Sequence, residues 1–513
     1  MVFKRSYSRR SNALSNLVSN VWIALMSIVS VPFYLKYVGV EAYGLIGVFA
    51  TLQAFIFLLD FGLSPTLSRE LARLSTDIKN ADEMADLTKT LEVPNFVSGC
   101  LIALFLCSLS PLIANYWLHP ENLSNQTVTR SLTIIGAIVG LNFILTLYSG
   151  GLMGLQKQLP VAAMNVLFST LRSLGGIFVL VYYSPTLETL VGWQFAVTLF
   201  QVVTMIAALN FSLPVPSIKG HFTNKIFIKI WRFAAGTTGI SFVSLILSQT
   251  DKVILSKTLT LQMFGFYTLA SSVANMALGT VIGAISQAVY PRLSQLIYLK
   301  EDVEMARFYH ISCQVISVIT FPIMGTLIYF SKEILTAWTH NPQIANETSP
   351  LMSLLVLGTG LNGLMVMPYF LQLANGTTKR LFYLNVCAVV ILIPFILIGV
   401  SFYGAIGGAL GWVFLNIFYL LIGGPILHQN VLPSHLRQWY LFDLGLPCAA
   451  AFVVAGMFRL VMPRDVSDFE LIVIVATAAC TSFCFAVLSA KSVRNAIREN
   501  IKLYFGAQII DKL

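Results

Sequence analysis

The stretch LKYVGVEAYGLIG, residues 35–47, returns in altered form as SKTLTLQMFGFY, residues 256–267. Each copy has a lysine eight residues before a glycine, namely Lys36 and Gly44 in the first and Lys257 and Gly265 in the second. Two more segment pairs recur at nearly the same offset, namely GLQK at 154–157 with GTTK at 376–379 and PTLSR at 65–69 with PRLSQ at 291–295. The offsets of 221, 222 and 226 residues are too regular for chance, so the sequence predicts an internal repeat.

The composition indicates that this repeat lies in a membrane. The 513 residues are 57% hydrophobic and only 11% charged, with a mean hydropathy of +0.79, whereas soluble domains are about a quarter charged. Fourteen apolar runs have roughly the twenty residues that cross a bilayer. They lie near 14–35, 43–67, 93–117, 131–154, 161–183, 190–210, 232–256, 264–290, 311–335, 350–373, 383–402, 405–427, 441–462 and 469–490. The repeat offset spans six of them, an even number, so both halves run in the same orientation.

These patterns predict an all-α integral membrane protein with about fourteen transmembrane helices. Two parallel six-helix repeats would be followed by two extra helices at the C-terminus. Parallel repeats with a substrate site at their interface are typical of transporters. The predicted domains are an N-terminal bundle at 1–210, a cytoplasmic linker at 211–231, a C-terminal bundle at 232–427, and two additional helices with a cytoplasmic tail at 428–513.

The net charge of +10 reflects topology rather than a nucleic-acid partner. The chain has no Lys/Arg-rich block interleaved with aromatic residues and no nucleic-acid-binding motif. With the N-terminus inside, 24 of the 32 Lys and Arg residues fall on the inner side and six on the outer side. This asymmetry predicts that both ends are cytoplasmic. The basic start is interpreted as leading into a retained first helix rather than a cleaved signal peptide.

The cysteines and histidines do not predict a metal or disulfide site. The seven cysteines lie in apolar spans without CxxC spacing. The six histidines fall in or near loops, and we expect them to be solvated side chains at the membrane interface.

Four charged residues inside the apolar spans are candidate functional groups, because each costs roughly 2.5–3.5 kcal/mol at a bilayer centre. They are Arg172, Lys252, Asp60 and Asp251. Such charges generally face a bundle interior or a wet cavity, and Arg172 with Lys252 suits an anionic phosphate group. The two carboxylates would repel phosphate, so we expect them to bind a proton or cation or to hold a basic partner. Structural ion pairs are the alternative for all four.

Polar side chains also recur along single faces of the predicted helices. The candidates for hydrogen bonds to substrate are Asn16, Asn20, Gln53, Asn165 and Asn275. Small and hydroxyl residues share these faces, and ordinary helix packing in membranes is an equal explanation for those.

Three stretches resemble the polysaccharide-transporter family, the Wzx-type O-antigen flippases of the multidrug/oligosaccharidyl-lipid/polysaccharide exporter superfamily. VPFYLKYVGVEAYGLIGVFATLQAFIFLLDFGLSPTLSRELAR (31–73) is similar to the opening of that family. YSGGLMGLQKQLPVAAMN (148–165) is similar to its fourth-to-fifth helix junction, and DKVILSKTLTLQMFGFYTLASSV (251–273) to its seventh-to-eighth. The resemblance implies two six-helix bundles around a cationic lumen in a bacterial inner membrane.

The resemblance further implies a substrate and a mechanism. Undecaprenyl-pyrophosphate-linked oligosaccharide would pass from the cytoplasmic to the periplasmic leaflet by alternating access, coupled to an ion gradient of H⁺ or Na⁺ and without another cofactor. Membrane lipid, a polysaccharide polymerase and other assembly proteins are the implied partners. On this basis Arg172 and Lys252 would bind the pyrophosphate, and Asp60 and Asp251 would serve ion coupling.

Other functions predict other sequence features. A lipid II flippase or a cation-coupled drug exporter of the same superfamily is the nearest alternative, although a cation exporter should have a mainly acidic cavity. A membrane enzyme such as an O-antigen ligase or polymerase predicts a long periplasmic loop with Arg and His clusters, and the outer loops here are short. A structural scaffold leaves the deep Arg172 unexplained. The sequence has no GxxxxGK[ST] motif for direct use of ATP, and we expect a transporter rather than an enzyme.

Overall fold

The computed structural model of the chain describes residues 9–60, 62–77, 80–214, 220–223, 242–376, 378–429, 431–463 and 466–499. Every regular element among these residues is a helix, which confirms the all-α fold class. The chain folds into two compact units, Met1–Thr268 and Leu269–Leu513. The predicted domain limits stay a prediction, and much of the linker at 211–231 lies outside the described residues.

The first unit is built from helices α1 to α7 and the first residues of α8. Their bounds are Arg9–Leu59 for α1, Leu63–Leu74 for α2, Ala81–Leu112 for α3, Asn125–Gly154 for α4, Gln158–Tyr182 for α5, Leu187–Ser212 for α6, 242–258 for α7 and Leu261–Ala274 for α8. A π-helical turn, Ile113–Trp117, extends α3. Leucines and other apolar residues of α2, α3, α4 and α6 form its main hydrophobic core.

A glycine divides α1 into two spans. Gly39 has φ 85° and ψ 169°, a conformation that residues with a Cβ rarely adopt. The apolar part of α1, Val18–Ile56, is 39 residues long. At 1.5 Å per residue such a helix would be roughly twice as long as the hydrocarbon core is thick. Gly39 therefore separates the predicted first and second spans.

The predicted second span at 43–67 ends earlier than expected. The helix α1 stops at Leu59, and Gly62, with φ 74°, precedes the separate helix α2. In α2 the leucines at 63, 67 and 71 are buried, whereas Arg69 and Arg73 are exposed. This i, i+4 pattern makes α2 an amphipathic helix that packs its leucines against α3 and α4.

The second unit is arranged around α10. Its helices are α9 (Thr280–Leu299), α10 (Asp302–Tyr329), α11 (Ser331–Thr339), α12 (Pro342–Leu364), α13 (Val366–Ala374), α14 (Thr378–Tyr403), α15 (Ala405–Phe418), α16 (Gly424–His428), α17 (Leu436–Gln438), α18 (Leu446–Val461), α19 (Asp468–Ser489) and α20 (491–499). The π-helical segments are Asn275–Gly279, Tyr419–Gly423 and Trp439–Gly445. The helix α10 packs against α9, α12, α18 and α19, so the two predicted additional helices, α18 and α19, lie on this central helix.

Twelve of the described helices are long and apolar enough to cross a membrane. The predicted fourteen spans follow if α1 is divided at Gly39 and if α7 is counted. Only residues 242–258 of α7 are described, which is shorter than a full span. The chain is therefore a multi-pass membrane protein.

Candidate functional site

Arg172 lies on α5, and neutral side chains of α6 hold its guanidinium group. Nη2 of Arg172 donates to Oε1 of Gln201 at 2.8 Å and approaches Oγ1 of Thr198 at 3.5 Å. Gln201 in turn donates from Nε2 to Oδ1 of Asn165 at 3.4 Å. No carboxylate forms an ion pair with Arg172 within the described part of the chain. Two of the predicted residues, Arg172 and Asn165, thus belong to one network that carries an unneutralised positive charge.

The first half of α1 packs on α5 beside this network. The hydroxyl group of Tyr34 donates to the backbone carbonyl of Arg172 at 3.3 Å, and Nε1 of Trp22 donates to Oγ1 of Thr170 at 2.8 Å. Tyr34 is buried. These contacts connect the polar residues of α1 to the turn of α5 that carries Arg172.

Asp60 lies at the break between α1 and α2, and its contacts are those of a helix cap. Its carboxylate accepts from the backbone N–H of Ser64 at 3.2 Å and from Oγ of the same serine at 2.8 Å. A carboxylate near the first turn of a helix satisfies free backbone N–H groups and the helix dipole. Asp60 and Gln53 also line one small cavity with Asn142, which donates to Gln53 at 3.3 Å. Asp60 therefore has a structural role beside any role in ion coupling.

Asp251 lies on α7 and accepts a hydrogen bond from the hydroxyl group of Tyr267 on α8, at 2.5 Å. Both residues are buried. The second carboxylate oxygen, Oδ1, is also buried and has no hydrogen-bond partner within the described residues. Nζ of the neighbouring Lys252 donates instead to Gln249 at 3.4 Å. The contacts of Asp251 leave one oxygen available for a proton or a cation.

The remaining predicted residues do not form hydrogen bonds with these networks within the described part of the chain. Asn16 is half-buried and Asn20 is exposed on α1. Asn275 is exposed in the second unit, where it begins a π-helical segment and donates to the carbonyl of Ser271 at 2.8 Å. Their roles in substrate binding stay predictions.

The glycines that mark the sequence repeat lie against each other's helices. A Cβ atom on Gly44 would lie 2.5 Å from the carbonyl oxygen of Leu261, and one on Gly265 would lie 2.2 Å from that of Val40. Leu261 precedes Gly265 by four residues, and Val40 precedes Gly44 by four. The contact is therefore reciprocal, and it permits a backbone approach between α1 and α8 that no larger residue allows.

Glu41 was not predicted as an important residue, yet it holds a loop. Its buried carboxylate accepts from the backbone N–H groups of Glu121 at 2.6 Å, Asn122 at 2.8 Å and Leu123 at 3.2 Å. Lys257, the repeat counterpart of Lys36, donates to the backbone carbonyl of Tyr116 just before this loop. The segment after α3 is thus fixed to both α1 and α7.

The expectation that all histidines are solvated is wrong. His310 is 4% exposed and His428 is completely buried. His310 contacts the fully buried Asp443, another residue that the sequence did not single out. Asp443 lies just inside the predicted span at 441–462, so a charge within an apolar run was the signal that could have identified it.

Comparisons with known proteins agree with this fold. A family model described as polysaccharide biosynthesis protein matches residues 10–297. A protein of Shigella flexneri named as an O-antigen transporter is 24% identical over 404 residues, which cover 78% of this chain and 93% of that protein. Lipopolysaccharide biosynthesis protein WzxC of Escherichia coli (strain K12) is 25% identical over 244 residues, 46% of this chain and 48% of that protein.

Two solved structures share the fold at low sequence identity. The lipid II flippase MurJ in its inward closed conformation has a TM-score of 0.69 at 18% identity, covering 93% of this chain and 98% of that one. An inward-facing multidrug resistance MATE family transporter of the MOP superfamily has a TM-score of 0.64 at 13% identity, covering 83% and 96%. At these identities the likeness shows the fold alone.

Proposed function

Because the chain belongs to the polysaccharide biosynthesis protein family, we propose that it translocates undecaprenyl-pyrophosphate-linked oligosaccharide, an O-antigen or related repeat unit. The direction is from the cytoplasmic to the periplasmic leaflet of a bacterial inner membrane, by alternating access. The family match and the two relatives support a polysaccharide flippase, and the fold is that of transporters in the MOP superfamily. The orientation with both termini in the cytoplasm rests on the distribution of Lys and Arg.

The observation that carries this proposal is the state of Arg172. A guanidinium group within a membrane span costs several kcal/mol unless it is paired or wet. Its hydrogen-bond partners within the described residues are neutral, so its charge is not cancelled there. Arginine binds phosphate with two parallel N–H groups, and an anionic pyrophosphate would supply the missing negative charge.

The neighbouring polar groups suit a substrate that carries sugars. Asn165 and Gln201 adjoin Arg172, and their amides can exchange their mutual bond for bonds to sugar hydroxyl groups. In the proposal Lys252 supplies a second positive charge, while Asn16, Asn20, Gln53 and Asn275 are further contacts along the path.

Ion coupling is assigned to Asp60 and Asp251. The unpartnered oxygen of Asp251 supports a proton or Na⁺ site, since a buried carboxylate oxygen without a partner is costly. The contacts of Asp60 give less support for an ion site, because Ser64 already forms hydrogen bonds with both carboxylate oxygens.

The reciprocal contact of Gly44 and Gly265 supports alternating access. Equivalent glycines from the two repeats allow α1 and α8 to pack closely, and separation at this point would open a path between them. Lys36 and Lys257 are two of the six Lys and Arg residues that the charge distribution assigns to the outer side, so this contact is proposed to close the periplasmic entrance. Membrane lipid would carry the polyprenyl tail, and a polysaccharide polymerase would receive the product.

The test is complementation of a strain that lacks the protein. Arg172→Ala should abolish surface polysaccharide and cause lipid-linked units to accumulate, whereas Arg172→Lys should retain part of the activity. Arg130→Ala is the matched control, because Arg130 is an exposed arginine paired to Glu188 at 3.7 Å. Full activity of Arg172→Ala at normal membrane abundance would disprove the proposal.

The alternative functions give different outcomes in the same strain. A lipid II flippase contacts the same pyrophosphate but would sustain peptidoglycan synthesis rather than surface polysaccharide. A cation-coupled drug exporter would change drug sensitivity without changing either polymer, and a positive charge at Arg172 does not favour a cationic substrate.

A further inference from the structure

A chain of hydrogen bonds in the second unit connects a fully buried carboxylate to a surface groove. Asp443 lies in the π-helical segment before α18 and is completely buried. Its Oδ2 contacts Nδ1 of His310 on α10, and Nε2 of the same ring lies 2.8 Å from Nδ1 of His435. His435 is half-buried and lines, together with the less exposed His310, a groove of about 510 Å³. We call Asp443, His310 and His435 the relay.

Gln314 fixes the proton arrangement at the buried end of the relay. Its Oε1 accepts from the backbone N–H groups of Ser492 at 2.8 Å and Val493 at 3.3 Å. A backbone N–H can only donate, so Oε1 points to α20 and the amide NH₂ points to Asp443. Nε2 of Gln314 donates to Oδ1 of Asp443 at 2.8 Å, so that oxygen acts as an acceptor. Only Oδ2, which faces His310, remains for exchange.

The nitrogens of the two histidine rings can carry protons in two arrangements, which differ by one proton. In the first, His310 donates from Nδ1 to Asp443, and its Nε2 accepts from Nδ1 of His435, whose Nε2 keeps a lone pair. In the second, a proton has bound to Nε2 of His435 and the Nδ1 proton of His435 has passed to Nε2 of His310. His310 is then an imidazolium ion that donates to both neighbours. No covalent bond between heavy atoms changes.

We propose that the relay is a proton-binding site, distinct from Asp60 and Asp251, which is filled from the groove at His435. The buried negative charge of Asp443 attracts the proton, since an uncompensated carboxylate in a low-dielectric interior is costly. Bound at His310, the proton leaves a neutral pair at the junction of α10 and the segment before α18. The use of this proton to drive translocation rests on the proposed function above.

Other ionisable groups surround the relay, and some of them form hydrogen bonds or ion pairs of their own. His428 donates from Nδ1 to the carbonyl of Gly424 at 2.7 Å, so its Nε2 accepts from the hydroxyl group of Tyr309 at 2.8 Å. Both nitrogens of that ring are used, and it does not continue the relay. Further ionisable groups on the surrounding elements are Asp302, Glu304, Arg307, Cys313, Arg437, Tyr440, Lys491, Arg494, Arg498 and Glu499. Arg307 and Asp302 line the groove, and Arg307 is held by Glu499 at 2.6 Å.

The binding test is infrared difference spectroscopy of the full-length protein in phospholipid bilayers, between about pH 8 and about pH 5. Asp443→Asn should weaken proton binding by about tenfold or more, because the attracting charge is lost. His310→Gln should remove the imidazolium signal of His310 and leave His435 to bind a proton as a single ring. His340→Asn is the control: His340 is exposed, and asparagine tolerates its positive φ of 50°.

Variants at the buried positions can fail to fold, so His435→Gln gives an independent reading. It removes the entry ring but leaves Asp443, His310 and Gln314 in contact, and it should slow or abolish the titration. An unchanged imidazole titration in Asp443→Asn or in His435→Gln would overturn the proposal, as would independent titration of the two rings.

A second measurement separates the relay from the proposed function. Proteoliposomes with lipid-linked oligosaccharide are assayed with and without a proton gradient, and His435→Gln should lose the stimulation while keeping the basal rate. Stimulation of His435→Gln equal to that of the unaltered protein would show that the relay does not couple the proton gradient to translocation. If the unaltered protein moves no such lipid, the proposed function fails, and the infrared titration still decides whether the relay binds a proton.

Discussion

Replacing Gly44 or Gly265 with alanine tests whether the repeat glycines hold α1 against α8. Each new Cβ would meet a backbone carbonyl oxygen, at 2.5 Å for Gly44 and 2.2 Å for Gly265. Carbon and oxygen atoms normally approach to more than about 3 Å, so the helices must separate by roughly an ångström. A flexible side chain could turn aside, but a carbonyl within a helix cannot.

The expected cost follows from overpacking. Extra methyl groups in a packed interior cost about 1–3 kcal/mol. Alanine also favours a helix over glycine by about 1 kcal/mol, which hides part of that cost. Gly192→Ala is therefore the matched control: Gly192 lies within α6, and a Cβ there would meet nothing within 4 Å. Relative to this control, Gly44→Ala and Gly265→Ala should each lose about 1–3 kcal/mol of unfolding free energy.

The reciprocity of the contact makes a stronger prediction for the double variant. The separation that relieves the clash at Gly44 also relieves the clash at Gly265, because both form one crossing. The double variant should thus lose less than the sum of the two single losses. Unfolding in mixed detergent micelles with increasing dodecyl sulfate measures all four free energies. Single variants as stable as Gly192→Ala, or additive losses in the double variant, would refute the close crossing.

Three further predictions concern individual carboxylates. Glu41→Gln should weaken the hydrogen bonds to three backbone N–H groups and lower the free energy of unfolding by about 1–3 kcal/mol. The loop at 118–124 should then be cleaved faster by proteinase K, and an unchanged cleavage rate contradicts this. Asp60→Ala should lower the free energy of unfolding by about 0.5–2 kcal/mol because the cap of α2 is lost, whereas Asp60→Asn keeps an acceptor for Ser64. Loss of translocation in Asp60→Asn at unchanged stability would support a role of Asp60 in ion coupling. Asp251→Asn should abolish the stimulation of translocation by a sodium or proton gradient in proteoliposomes. Tyr267→Phe, which keeps the carboxylate of Asp251, should retain this stimulation. Equal behaviour of the two variants contradicts an ion site at Asp251.

The network around Arg172 shows what helical periodicity can predict. Arg172 and Asn165 are seven residues apart, two turns of α5, and the structure connects them through Gln201. Gln201 itself was missed, although Gln194, Thr198 and Gln201 follow the i, i+4, i+7 spacing of one helix face on another span. Periodicity thus predicts which residues share a face, but it cannot identify the neighbouring helix that completes the site.

The break at Asp60 shows a limit of hydropathy. Residues 43–67 are apolar enough to read as one span, yet α1 ends at Leu59 and Gly62 has a left-handed conformation. An aspartate two residues before a glycine, with a serine two residues after it, was the local signal for a helix end. Average hydropathy is insensitive to such a signal because the flanking residues are all hydrophobic.

The burial of His310 and His428 could not be read from local sequence. Both lie at the ends of apolar runs, where single histidines are usually wet. The segment at 433–445 packs on α10 and brings Asp443 and His435 to His310, more than a hundred residues away in sequence. Only the tertiary arrangement of these separate segments distinguishes a buried relay from solvated loop residues.

The crossing of α1 and α8 and the carboxylate of Asp251 are connected by one short helical segment. Gly265 and Tyr267 are two residues apart on α8, so the helix that approaches α1 also donates the hydrogen bond to Asp251. Because a helix moves nearly as a rigid body, separation at Gly265 must change the distance from Tyr267 to Asp251 unless α7 moves with α8. A proton or cation bound at the free oxygen of Asp251 would therefore bias whether the crossing is closed. If so, Gly265→Ala and Asp251→Asn should affect gradient-driven translocation less than additively, whereas additive effects would show that the crossing and the carboxylate act independently.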